Sequence, residues 1–391
     1  MSSPLTVITV VCLYMSLLFG VARWTERSLS RGRSLVDNPL IYTLSLALYC
    51  TTWTYYGSVG LAATSGMLFM SVYLGPTMVA ITWWALLRKM VRLKRIHRIT
   101  SIADFIASRY GKSRTLAAVA TVIALVGSTP YVALQLKAVI ASFEILTNPS
   151  VHDASLTSSY VEPVIVCSMI LFTIVFGVRR LDPTERHQGM VMAIAVASLV
   201  KIMLFMVAGV FVVYVVYGGL DDIFAQAVQR GLTGIISRNS SFATWCSWLI
   251  LSMSAVMFLP RQFHISVVEN LNEQHIRTAM WLFPFYLLLI TLFAWPIALA
   301  GLISGRPISE ADYYVLTLPI SKGEPFLPLL VFLGGFSAAS GMIMISAMTI
   351  ATMTSNHLLL PLFGWIRSFG FMRRHLLGCR WTVVAGFIFL G

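Results

Sequence analysis

Long apolar runs alternate with short basic segments along this chain. A run of ~18 or more apolar residues is long enough to cross a bilayer as a helix. The hydrocarbon core offers no water to unpaired backbone groups, so a crossing segment must satisfy them internally. On this pattern nine spans are predicted, near 5–22, 39–63, 67–90, 114–146, 160–178, 188–217, 243–267, 279–303 and 325–358. A tenth begins near Trp381 and is cut off at Gly391. Several runs exceed the ~20 residues needed to cross, which predicts tilt, a break or a protruding end. The first run, Leu5 to Ala22, lacks a preceding basic region and a small-residue cleavage site, so it is expected to be a retained helix. The predicted fold class is an all-α polytopic membrane protein.

Composition agrees. The 391 residues are 58% hydrophobic and 11% charged, against roughly 25% charged in soluble domains. The five cysteines, Cys12, Cys50, Cys167, Cys246 and Cys379, lie in or beside apolar runs without CxxC spacing. They are expected to be small buried residues rather than disulfide partners or metal ligands.

The net charge of +13 raises nucleic acid as a partner. Its placement argues for topology instead. Arg23, Arg27, Arg31 and Arg33 fall in the first loop. Arg88, Lys89, Arg92, Lys94, Arg95, Arg98, Arg109, Lys112 and Arg114 fall in the third, and Arg179, Arg180 and Arg186 in the fifth. Arg261, Arg277, Arg367, Arg373, Arg374 and Arg380 mark the later alternate ends. The opposite loops hold only Arg230, Arg238, Arg306 and Lys322, while Lys137 and Lys201 lie inside spans. Basic residues stay cytoplasmic, so the N-terminus is expected outside, and anionic lipid is the expected partner of the basic side. One cytoplasmic stretch, Ile99 to Tyr110, repeats Ile102, Phe105, Ile106 and Arg109 at helical spacing, with Thr100 or Ser101 available as a cap. It predicts a short amphipathic helix at the interface.

Polar residues inside spans are costly in lipid and mark a pathway. The second span contains Tyr49-Cys-Thr-Thr-Trp-Thr-Tyr-Tyr-Gly57, which predicts an unwound stretch offering carbonyls and hydroxyls; an aromatic belt is the plainer reading. In the seventh, Pro260 removes a backbone donor just before Arg261 and His264, which predicts a gate or hinge, or a simple kink with a snorkelling arginine. Tyr131, Gln135 and Lys137 follow Pro130 in the fourth span. Lys201 lies deep in the sixth, about 16 residues or ~24 Å beyond Glu185, too far to pair with it. It is read either as a fixed cation in a pathway or as a lysine satisfied by carbonyls or snorkelling. Gly334 to Gly341 in the ninth span predict close helix packing. No Walker loop, HExxH, GxSxG or paired zinc-ligand spacing is present, so no enzyme activity, cofactor or metal is expected of this chain.

These segments resemble the sodium/solute symporter family. They are closer still to the symporter-like membrane domain at the N-terminus of CbrA-type bacterial sensor histidine kinases. The resemblance is carried by Cys50 to Gly57, Thr100 to Gly111, Arg179 to His187 with Ser198 to Lys201, and Phe258 to Asn270. It implies a LeuT-like inverted repeat (APC-type) with one extra N-terminal helix and a truncated second repeat. Residues 1–38 would be the extra helix and its basic loop, 39–218 the first five-helix repeat, and 243–391 the incomplete second repeat. A kinase region and a response regulator partner would lie beyond the chain's C-terminus. The family's register places Thr51, Thr52, Trp53, Tyr131 and Gln135 at the substrate; Gly57, Pro260, Arg261 and His264 are the gate or hinge candidates read from the residues themselves. The register places Ala47 and Cys50 at the carbonyl positions of a sodium site, Gly341 and Met342 at that site's hydroxyl positions, and Tyr49 at an aspartate position. Glu185 matches an acidic residue at the start of the sixth span. A hard cation wants oxygen ligands, so coupling to protons, with Glu185 and Lys201 as candidates, or no coupling, is expected ahead of sodium. The implied function is a transporter-like module for a small polar solute, an amino acid with histidine favoured, in the bacterial inner membrane. It would serve as the input domain of a two-component system. An ordinary sodium/solute symporter and a non-transporting ligand sensor are the alternatives.

Overall fold

A computed structural model describes residues 3–147, 158–177, 187–232, 234, 240–365 and 375–391. Among them there is no strand. Six helical segments are long and apolar enough to cross a membrane, and a seventh is a pair bent by 48°. The protein is a multi-pass membrane protein. Arg179, Arg180, Asp182, Glu185, Arg186, Arg238, Arg367, Arg373 and Arg374 lie outside the described residues.

The first helix, α1 (Pro4–Ser30), starts where Ser3 accepts a hydrogen bond from the Thr6 amide (3.2 Å) and Pro4 occupies a first-turn position. It is longer than the predicted span, so Arg23 and Arg27 sit on its last turns rather than in a loop. Its buried face runs Val7, Tyr14, Leu18, Ala22, Thr25, while Leu5, Leu13 and Leu17 point outward. The Tyr14 hydroxyl donates to Ser337 (2.7 Å) in the middle of the bundle.

The predicted second span is broken. Helix α2 (Pro39–Leu46), capped by Asn38, tightens into a 3-10 turn at Ala47–Tyr49. The chain then extends at Cys50 (ψ 99°) and resumes as a π-turn over Trp53–Gly57, followed by α3 (Ser58–Ser65). Gly57 is therefore not the hinge; it is helical, and the Trp53 indole lies over it. The third span follows as α4 (Ser71–Ala80), then the basic helix α5 (Leu86–His97) and the amphipathic α6 (Ile102–Arg109). Helix α7 (Arg114–Thr147) runs straight through Pro130. Then come α8 (Ser158–Gly177), α9 (Gln188–Val210) and α10 (Leu220–Gln229).

The seventh span breaks between α11 (Phe242–Phe258) and α12 (Pro260–Phe263), where Leu259 is extended. A π-turn over His264–Val268 ends it. Helices α13 (His275–Thr291), α14 (Ala294–Ile303) and α15 (Tyr314–Ser321) lead to α16 (Leu327–Thr354). This last helix is buried on nearly every side and packs against α7, α8 and α9. A π-turn at Ser355–Leu359 continues it into α17 (Leu360–Trp365). The last helix, α18 (Leu376–Leu390), begins five residues before the predicted start because Arg380 is buried and donates to Asn356 (3.2 Å), so it does not mark an exposed end.

Small residues let α16 approach its neighbours closely. The Tyr55 and Tyr56 rings lie directly on Gly334 and Gly335, leaving no room for a side chain at either position. Gly335→Ala would drive a methyl group into Tyr56 and is expected to cost about 1–3 kcal/mol. A thermal melt in detergent checks this, and an unchanged midpoint would refute the packing argument.

Two expectations about side chains change. Cys12 and Cys167 are exposed rather than buried, and all five cysteines are free. Several of the loop cations also serve the protein itself. Arg92 forks onto Glu273 (2.7 and 2.9 Å), and the Arg88 and Arg277 guanidinium carbons lie 4.3 and 4.4 Å from the Trp84 ring centroid.

Candidate functional site

A broken helix leaves carbonyls without partners at its C-terminal end, and that end carries partial negative charge. At the break after α2 these groups are met by side chains from two other elements. Gln262 on α12 donates to the Leu46 carbonyl (3.0 Å). The Lys201 ammonium on α9 donates to the Ala47 carbonyl (2.8 Å) and to the Cys50 carbonyl. Lys201 is buried, so its charge is held inside the bundle. The reverse tie also exists: the Tyr42 hydroxyl of α2 donates to the Ser266 carbonyl in the π-turn of the other broken span (2.8 Å).

Lys201 thus sits on the two carbonyls that the family register assigns to a cation. Gly341 faces the same turn, its Cα hydrogen directed at Leu48, and Met342 accepts a 3.7 Å contact from Ser346 through its sulfur. Neither side chain offers an oxygen, and both carbonyls already accept from an ammonium. The residues present do not fit a sodium ion, a hard cation that takes oxygen ligands. Tyr49 is also occupied, donating to the Val72 carbonyl (3.0 Å).

The structure brings the five substrate candidates together but divides their roles. Gln135 accepts from both the amide and the hydroxyl of Thr52 (3.1 and 2.7 Å), and the Thr51 and Tyr131 hydroxyls lie 3.1 Å apart. Thr51, Thr52 and Gln135 therefore fasten the break to α7. Trp53 and Tyr131 instead line a cavity of about 590 Å³, with Tyr49, Thr54, Pro260 and Arg261. Helix α6 contributes Ile102 and Ile106 to its lining, and the exposed side chains of Ile123 and Phe258 also line it. That volume is within the range of small-molecule sites.

Helix α6 is held in place beneath this cavity. Ser101 caps it by accepting from the Asp104 amide (3.2 Å), and Asp104 accepts from the Thr100 amide (3.0 Å) and hydroxyl, so both expected caps contribute. His357, in the π-turn after α16, reaches Asp104 at 3.3 Å, and Phe105 packs at a tilt against Phe263 with centroids 5.4 Å apart. The predicted interfacial helix is thus a structural cap joined to both α16 and the broken seventh span.

His264 belongs to a second cluster. Its Nε2 lies 3.2 Å from Oε1 of the buried Glu269, and His187 Nδ1 lies 3.1 Å from the same oxygen. The His187 amide donates to the other carboxylate oxygen (3.2 Å). The cluster ties the start of α9 to the end of the broken span. Among the described residues it is also a set whose ligand atoms, within 4.8 Å of one another, could hold a metal ion. Sequence reading missed it because no motif spacing links position 187 to 264 and 269; the tertiary fold alone joins them.

Two broken spans tied to each other at a polar centre thus lie beside a solute-sized cavity. No family model and no curated protein matches the chain. Among solved structures it is similar to a Na+-coupled sialic acid symporter in its substrate-bound outward-open state, with a TM-score of 0.68 and 13% identity. The match covers 98% of this chain and 79% of that one. The likeness establishes the fold.

Proposed function

We propose that this chain binds a small polar solute, an amino acid with histidine favoured, and carries it across the bacterial inner membrane, with its N-terminus outside. On this reading it is the input domain of a two-component sensor histidine kinase. Its coupling ion is the proton, or transport is uncoupled; sodium has no role at the first break. The carrying observation is the Lys201 ammonium on the Ala47 and Cys50 carbonyls. A tethered cation there balances the orphaned carbonyls without an ion from solution, while Gly341 and Met342 leave no oxygen for one. The cavity beside both breaks supports the solute role. The sodium-coupled symporter of the same fold lends support to transport, not to its ion.

Proteoliposomes with imposed gradients test this. Radiolabelled histidine uptake is expected to respond to a proton gradient or to none, and to be equal in sodium and choline buffers. Strict sodium dependence that disappears in Gly341→Leu would sink the reading.

A further inference from the structure

Arg261 is the only charged residue among the described residues lining the cavity. It is 5% exposed, so water does little to solvate it. No ion pair among the described residues includes it, and its Nε has no hydrogen-bond partner. Among the described residues the Tyr131 ring lies over it, 4.4 Å from the guanidinium carbon to the centroid. A cation over an aromatic face is stabilised, but a buried guanidinium without an anion still bears most of its desolvation cost. The break explains why it is aimed here. Leu259 extends, Pro260 starts the short α12, and the next side chain projects into the space between α7 and α11.

We propose that Arg261 is the anchor for the solute's carboxylate, which makes the solute a monocarboxylate carrying an apolar or aromatic remainder. This rests on the reading that the cavity takes the solute. The chemistry follows from the walls. A guanidinium matches a carboxylate by a two-point fork, and Arg261 has no anionic partner among the described residues. Trp53, Tyr49 and Tyr131 offer aromatic surface, and Ala120, Ala124 and Ile106 aliphatic surface, to the remainder. Tyr131 is then a positioning residue, holding the guanidinium plane from one face.

The test is ligand binding to the purified full chain by thermal shift and calorimetry. The probes are the twenty standard amino acids, monocarboxylates lacking an amino group, and the amide and decarboxylated amine of each probe that binds. The expected result is binding of acids, with the matching amides and amines weaker by about tenfold or more, a loss of ~1.4 kcal/mol or more. Arg261→Gln is expected to lose that same factor for acids and to leave the weak amide affinity unchanged, while Arg261→Lys recovers part of it. The acid-against-amide comparison on the unaltered protein stands even if Arg261→Gln does not fold. Amides and amines that bind as tightly as acids overturn the anchor and leave the transporter reading intact. A protein that binds no probe of any kind overturns that reading, and the anchor with it.

Discussion

Lys201→Met is expected to abolish solute uptake and to lower stability sharply, the largest single effect in the bundle. Methionine keeps the length of the stem and removes the charge. The Ala47 and Cys50 carbonyls then lose their donor in a place water does not reach. Leaving two buried acceptors unmet costs about 2–6 kcal/mol. Those carbonyls form the end of α2, and Thr51 and Thr52 hang from the same turn, so the pathway is expected to deform with them. Uptake in proteoliposomes should fall by more than about tenfold, equivalent to ~1.4 kcal/mol. Sodium is expected not to rescue the variant, because Gly341 and Met342 supply no oxygen. A melting midpoint that recovers in sodium chloride but not in choline chloride would show that the site accepts the ion after all.

Glu269→Ala is expected to be nearly as costly, about 3–5 kcal/mol, the usual loss on removing one member of a buried charged cluster. The pH dependence supplies an independent check. Glu269 lies one residue beyond the broken seventh span. Burial by itself raises its carboxyl, but the hydrogen bonds and charges of His187 and His264 outweigh this and hold it well below the usual carboxylate range. A depressed folded value stabilises the protein at pH values above the unfolded value of ~4.3, and that contribution fades as the pH falls toward the folded value. The wild-type melting midpoint should therefore drop more steeply than the variant's between about pH 5 and about pH 3, the range around the unfolded carboxyl. Parallel curves would mean that Glu269 is not the ionised partner of the two histidines.

How much of this was legible beforehand varies with the kind of interaction. Hydrophobic runs located the spans because each lipid-facing helix needs a continuous apolar stretch whatever its neighbours. The breaks were visible too. Pro260 lacks a backbone donor, and Cys50-Thr-Thr-Trp offers hydroxyls where a lipid-facing helix offers methyl groups. Boundaries set by partners were not visible. Gly57 looked like a hinge because glycine is permissive, yet the chain extends at Cys50, where Lys201 and Gln262 can cap the end it leaves. Arg380 looked like an end marker because charge is usually exposed, yet Asn356 accepts from it inside the bundle.

The same division holds at the candidate site. Sequence alone determined that this is a helical membrane protein, that two of its spans are interrupted, and that a lysine lies deep in a third, since these depend on residue type and local spacing. Only the tertiary structure decided what Lys201 pairs with, that the Gln135 side-chain oxygen accepts from Thr52 while Arg261 lines the cavity, and that His187, His264 and Glu269 meet. Each of those facts depends on distances between residues far apart in the chain, and hydrogen bonds and ion pairs act only over a few ångströms. No pattern of neighbours along the sequence carries that information until the helices have packed.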